Sequence, residues 1–248
     1  MSERSRISRR RFAKLCASAL PMLGGIAAVR VSANAEARSY NRVKLVDDDN
    51  QPIKARDLAI GESYVFHYPY VTTPCFLINL GETARPNGPL NTADGRAYKW
   101  VGGIGPKRSI VAFSAICAHQ MSYPARSVSF INYRHDGANF WDKDKNQVKR
   151  AQVIYCCSEK SVYDPRDGAR VIGGPAPQPL AAVIIEHDEQ SDALYATGTE
   201  GGEMFDGFFA QNDFRLALEH RVSNVRQRAR ETTAVVSIKE YSSNRMMC

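Results

Sequence analysis

Tyr155-Cys156-Cys157-Ser158-Glu159-Lys160-Ser161-Val162-Tyr163-Asp164 is the stretch on which the reading of this 248-residue chain turns, taken together with Cys117-Ala118-His119 upstream. A lone Cys-x-His arises by chance in many chains. A second cysteine loop changes its weight, because thiolates and an imidazole are soft and borderline ligands that suit iron or zinc. The order of chemistry along the chain is therefore thiol and imidazole first, then two adjacent thiols, a carboxylate and two hydroxyls.

Working outward, residues 62 to 197 form short β-rich runs separated by Gly, Pro and Asp clusters, with few stretches at helical period. The clearest strands are Tyr64 to Tyr68, Cys75 to Leu80, Ser109 to Phe113, Gln152 to Tyr155, Ala182 to Glu186 and Ala193 to Ala196. These signals predict an all-β antiparallel sandwich or partly open barrel. Gly81 to Tyr98 reads as a surface excursion. Tyr123 to Arg150 separates the two loops, and its polar second half reads as a solvated insertion or a docking element.

The second loop resembles the Rieske pattern C-x-C-H-G-S-x-[FY]-D from its first cysteine through Ser161, Tyr163 and Asp164, and Cys117-Ala118-His119 resembles the first Rieske loop, C-x-H. Gly173-Gly174-Pro175-Ala176-Pro177-Gln178-Pro179-Leu180 is similar to the proline loop that covers the family's cluster, where fixed φ angles make a stiff lid. The strands Phe66-His67-Tyr68-Pro69, Pro74 to Ile78, Ile110 to Cys117 and Leu194 to Gly198 resemble those of the small Rieske subunit of arsenite oxidase, and the likeness spans roughly residues 60 to 210. The resemblance implies a [2Fe-2S] cluster held by two thiolates and two imidazoles. It further implies that Ser161 donates to a bridging sulfide and Tyr163 to a ligand sulfur, stabilising the charge of the reduced cluster.

Two departures matter. The family's further cysteine in each loop, which forms a clamping disulfide, is matched here by Ser122 and Ser158. The fourth ligand position holds Glu159 in place of histidine. Four readings stay open: Glu159 binds iron with Cys117, His119 and Cys156; Cys157 supplies the fourth bond; no cluster binds and Cys156 and Cys157 are free or form a vicinal disulfide; or Cys117, His119 and Cys156 hold a single zinc or iron. His67, His135, His187 and His220 remain as replacement imidazoles; His135 lies in the insertion between the loops, but no spacing supports it, and each reads as a surface or hydrogen-bonded core histidine.

The N-terminus reads as a twin-arginine export signal over residues 1 to 35. Ser8-Arg9-Arg10-Arg11-Phe12-Ala13-Lys14 precedes an apolar run from Leu15 to Val29, and Ala33-Asn34-Ala35 supplies a small-x-small cleavage site. The run holds Pro21, Gly24 and Gly25 and is shorter than the roughly 20 residues a membrane span needs. Uncleaved, it would be a membrane tether. The chain's formal charge of +7 is mostly this segment: Arg4, Arg6, Arg9, Arg10, Arg11, Lys14 and Arg30 against Glu3 leave +1 for the rest, which excludes a nucleic-acid reading.

Five cysteines follow the signal: Cys75, Cys117, Cys156, Cys157 and Cys248. An odd, sparse set does not read as a disulfide framework. Cys75 in an apolar run reads as core. Past His220 the chain turns basic, and Thr232 to Ile238 is β-prone, able to join another sheet edge or to fray.

The expected organisation is a signal at 1–35, a Rieske-like domain at 36–218 with its cluster-binding part about 112–180, and a basic extension at 219–248. No phosphate loop, nucleophile elbow or paired-carboxylate pattern supports independent catalysis. The resemblance implies a periplasmic electron-transfer subunit serving a larger oxidoreductase or respiratory complex, with a c-type cytochrome as redox partner. The alternative is a structural subunit that kept the fold without the cluster.

Overall fold

The computed structural model describes residues 37–248, so the segment read as an export signal lies outside the described residues. In chain order the strands are β1 (Arg38–Val46), β2 (Ser63–His67), β3 (Pro74–Asn79), β4 (Leu90–Asn91), β5 (Ala97–Tyr98), β6 (Ile110–Ser114), β7 (Ile131–Arg134) and β8 (Ala138–Trp141). They continue as β9 (Gln147–Arg150), β10 (Val153–Cys156), β11 (Ser161–Asp164), β12 (Arg170–Gly173), β13 (Ala182–Asp188), β14 (Ala193–Glu200), β15 (Thr232–Ala234) and β16 (Val236–Ser237). Two α-helices, α1 (Phe205–His220) and α2 (Ile238–Tyr241), and two short 3-10 turns, at Ala55–Asp57 and Pro165–Asp167, complete the set among the described residues. The all-β expectation holds.

Eight strands form one sheet in the order β15-β1-β14-β13-β6-β3-β2-β16. Its two outer strands are consecutive in the chain. Thr232–Ala234 pairs in parallel with β1, Val236–Ser237 pairs antiparallel with β2, and the Val235 amide donates to the Val46 carbonyl at 2.8 Å. One segment thus nearly closes the sheet into a barrel and leaves little unpaired edge. The β-prone run at 232–238 neither frays nor waits for another sheet; it completes its own.

The six residues of β3 are all buried because the strand has core on both sides. Cys75 and Leu77 point into a core shared with Val43, Leu45, Phe66, Val183 and Leu194, contributed from around the barrel. Phe76 and Ile78 alternate to the opposite face, where they meet Cys117, Ile131, Ile154, Cys156 and Tyr163. Full burial of such a side chain contributes about 1.5–3 kcal/mol. Cys75 is the buried core residue that its apolar surroundings suggest.

A second, four-stranded antiparallel sheet, β12-β11-β10-β7, carries one of the loops of interest at its end. In the segment between the two cysteine loops, Ile131–Arg134 pairs with β10, and the polar second half, read as a solvated insertion or docking element, forms the hairpin β8–β9. Helix α1 lays Phe208, Phe209 and Leu216 against Ile116, Tyr123 and Ala125, which flank the first loop on both sides. The helix ends at Arg221, whose φ of 53° is left-handed, and the Val222 amide caps the Ala217 carbonyl.

Candidate metal centre

The two cysteine loops are built alike. In each, the carbonyl of the leading cysteine accepts the amide of the residue four further on, Met121 to Cys117 at 2.9 Å and Lys160 to Cys156 at 2.8 Å. That fourth residue is left-handed in both, with φ of 61° at Met121 and 62° at Lys160. The second loop is the hairpin turn joining β10 to β11, and Cys156 faces both Ser161 and Ile131 across the ladder. A cysteine at the last ladder position places its sulfur at the sheet's end while the turn residues reach over it.

The turns bring four side chains together. Sulfur atoms of Cys117 and Cys156 and a carboxylate oxygen of Glu159 all lie within 4.8 Å of one another. His119 Nδ1 stands 3.3 Å from Glu159 Oε2. Both sulfurs are wholly buried, whereas the His119 side chain keeps 33% of its exposure and Glu159 11%. The site therefore has a dry thiol side and a wet imidazole side.

Two hydroxyls lie beneath. Tyr163 Oη is 3.2 Å from Cys117 Sγ and accepts the Ala118 amide at 3.1 Å. Burial, with the charge of Cys117, pushes the Tyr163 phenol well above its ordinary range, which keeps it a donor. The Cys117 thiol is shifted down because the Cys156 thiol and then Tyr163 donate to it, and Cys156 is shifted up because its proton is held on Cys117 sulfur and because it is buried. The pair favours a single negative charge shared across one S–H···S contact.

Ser161 Oγ is fully buried and has no hydrogen-bond partner in the protein. A buried hydroxyl without an acceptor costs about 1–3 kcal/mol. Its position in the β10–β11 hairpin fits a group with acceptor atoms seated between the loops. Together with two sulfurs, a carboxylate and an imidazole, it makes the residues present compatible with an iron–sulfur cluster.

The proline loop lies against the hairpin. A Cβ at Gly174, whose φ is 75°, would lie 2.6 Å from the Ser161 Cα and collide with the Lys160 backbone as well, so the close approach of lid to loop requires glycine there. Ala176 and Leu180 of the lid join the same core as Cys117 and Cys156.

No family model matches the chain. The chain is 27% identical over 200 residues to the iodate reductase subunit IdrB of Denitromonas iodatirespirans, across 80% of this chain and 84% of that protein. It is also similar to the crystal structure of the soluble domain of Rieske protein II (soxF) from Sulfolobus acidocaldarius, with 28% identity, 66% of this chain and 82% of that chain covered, and a TM-score of 0.43.

The motifs and the site they build resemble those of Rieske proteins.

All six residues singled out from the Rieske-like motif, Cys117, His119, Cys156, Glu159, Ser161 and Tyr163, fall in this one site. The readings that gave Cys157 the fourth bond or paired it with Cys156 are corrected by the structure: Cys157 is disulfide-bonded to Cys248, 91 residues on. Of the replacement imidazoles, none is at the site. His67 Nε2 is 3.1 Å from Tyr241 Oη, the His220 ring stands edge-on to it, His187 is 2.8 Å from Asp192, and the His135 ring packs on Gly61. The disulfide is the feature that sequence reasoning missed. Its signal was arithmetic: with Cys75 assigned to the core and Cys117 and Cys156 to the site, Cys157 and Cys248 remain as a pair.

Proposed function

We propose that the protein is an exported, Rieske-type electron-transfer subunit of a larger oxidoreductase, and that Cys117, Cys156, His119 and Glu159 hold a [2Fe-2S] cluster of altered ligand set. The observation that carries this reading is the convergence of those four side chains around a buried hydroxyl, Ser161, that lacks an acceptor. Cys117 and Cys156 would hold one iron, and His119 and Glu159 the other. Such a cluster, when bound, supplies one-electron oxidation and reduction.

The chain's own residues shape that chemistry. Tyr163 directs its hydroxyl at Cys117 sulfur and Ser161 offers a second donor; both favour a more negative site. Glu159 opposes them, because a carboxylate in place of a neutral imidazole adds a negative charge and draws the potential from the Rieske range of about −150 to +300 mV toward the ferredoxin side near −400 mV. Core residues and the proline lid exclude water from the sulfurs. His119, the most exposed of the four, marks the face where a partner approaches.

The similarity to a subunit of an iodate reductase supports a larger oxidoreductase as partner. A c-type cytochrome as the second redox partner and passage to the periplasm through the twin-arginine signal complete the proposal. The test is the visible spectrum with iron and acid-labile sulfide analysis of the purified protein, repeated in Cys117→Ser and Cys156→Ser. A coloured wild type with two irons, and loss of both colour and iron in each variant, is expected. A colourless, iron-free wild type overturns it in favour of a structural subunit, in which His119 and Glu159 serve each other as partners.

A further inference from the structure

Residues 242–248 lie alongside the link between the two ligand loops. Ser242 Oγ donates to the Ala125 carbonyl at 2.7 Å, the Ser243 amide to Arg126 at 2.8 Å and the Met246 amide to Ser129 at 2.9 Å. In return the Ser129 amide donates to Asn244 at 2.8 Å, and the buried Asn132 side chain donates to the Met246 carbonyl at 3.1 Å. Arg134 closes the series with a bond to the Cys248 carbonyl at 3.1 Å. The segment therefore follows the chain from the end of the first loop into β7.

At its far end it meets the second loop. The Cys157 amide donates to the Phe130 carbonyl at 2.7 Å, and Cys157 sulfur is bonded to Cys248. Cys157 follows the ligand Cys156 directly and lies two residues before Glu159, within the four residues that turn β10 into β11. The hairpin tip is thus held on one side by the ladder bond of Lys160 to Cys156 and on the other by a covalent link to a segment that is itself stitched to the first loop's exit.

We propose that residues 242–248 act as a latched strap, in which Cys157 and Cys248 are positioning residues that fix the hairpin carrying Cys156 and Glu159 against the loop carrying Cys117 and His119. The inference rests on the reading of the site as a metal centre. Opening the latch takes two electrons and two protons from a dithiol, which becomes a disulfide while Cys157 and Cys248 become thiols. The hairpin then keeps its ladder but loses its covalent tie.

The test compares the full chain with Cys248→Ser and with Cys157→Ser, and treats the wild type with dithiothreitol. Hydrogen exchange is followed by mass spectrometry in peptides covering 126–134, 153–161 and, as reference, 74–79 and 110–114. The proposal expects exchange about tenfold faster or more in the first two regions with the reference strands unchanged. For iron-loaded protein, iron passes to a chelator faster by a similar factor and the visible spectrum of the site shifts. Unchanged exchange at 153–161 overturns the strap, as does an equal acceleration in the reference strands, which marks a general stabiliser. A wild type that never holds iron defeats the metal-centre reading, yet the exchange measurement still decides whether the strap holds the hairpin. Should a variant fail to accumulate, the dithiothreitol-treated wild type gives the same readout.

Discussion

His119 Nδ1 and Glu159 Oε2 lie 3.3 Å apart, an imidazole and a carboxylate meeting across two loops that are 40 residues apart in sequence. Where the resemblance calls for a second imidazole, the structure places an anion beside the first one. Replacing it changes the charge at the site and little else, since both side chains are short and the hairpin backbone is fixed by its ladder. In iron-loaded protein, Glu159→His is expected to raise the reduction potential by about 100 mV or more, given the gap between Rieske and ferredoxin clusters. Redox titration checks it, and a potential that stays put would mean that Glu159 does not bind iron.

Ser161→Ala separates a filled site from an empty one by the sign of its effect. In iron-free protein, removing a buried hydroxyl that has no partner is expected to raise stability, by up to about 1–3 kcal/mol. In loaded protein the same change removes a donor to the cluster and lowers the potential. Denaturant unfolding of the one and redox titration of the other make the comparison.

The Cys157–Cys248 bond closes a long loop, its ends 91 positions apart in sequence. Cys248→Ala is expected to cost about 2–4 kcal/mol of stability through the freer unfolded chain. Urea unfolding under non-reducing conditions measures it, and the loss should vanish when wild type and variant are compared in dithiothreitol.

His67 sits among the His220 ring at 4.8 Å, the Tyr241 hydroxyl and Arg126. Burial first, then the neighbouring His220 and Arg126 charges, lowers it to about 3. A histidine whose folded value lies below its unfolded 6.5 takes up its proton more readily when unfolded. Stability is therefore full above about pH 6.5 and falls as the pH drops from there toward 3. His67 keeps partial contact with solvent, so the loss is placed at about 1–2 kcal/mol by pH 4.5. In His67→Gln the slope of stability against pH between 6.5 and 4.5 should flatten, as unfolding curves across that range would show.

Export is tested at the twin arginines. Replacing Arg9 and Arg10 together by lysine is expected to leave precursor in the cytoplasm, read by fractionation and immunoblotting. Normal accumulation in the periplasm would remove the twin-arginine reading.

The central strands β3 and β6 were legible because they are buried, and so largely apolar, on both faces. Pro74–Asn79 is buried at every position, and its run of Cys, Phe, Leu and Ile stands out in the sequence for that reason. The loop residues were legible because few residue types offer thiol, imidazole and carboxylate groups, and the structure brings Cys117, Cys156, Glu159 and His119 together. Helix α1 was not: Phe208, Phe209 and Leu216 face inward, but Phe214 and Leu218 point to solvent, so its apolar residues draw no clean stripe. The closing strand at 232–237 was read as β-prone, but its partner, β1, is far away in sequence, and no local pattern announces such a pairing. The disulfide stayed hidden for the same reason, a contact made by two distant points.

The barrel's closure sets an order of events during synthesis. Lys44 pairs with Thr232, so β1 is made about 190 residues before the strand that covers its edge. At roughly 5–20 residues per second, that edge waits about 10–40 s on the ribosome. Both ligand loops leave the ribosome inside that interval, ahead of the segment that seals the sheet and the strap that crosses them. A nascent chain at that stage has an open flank, with the edge of β1 unpaired until the last stretch arrives.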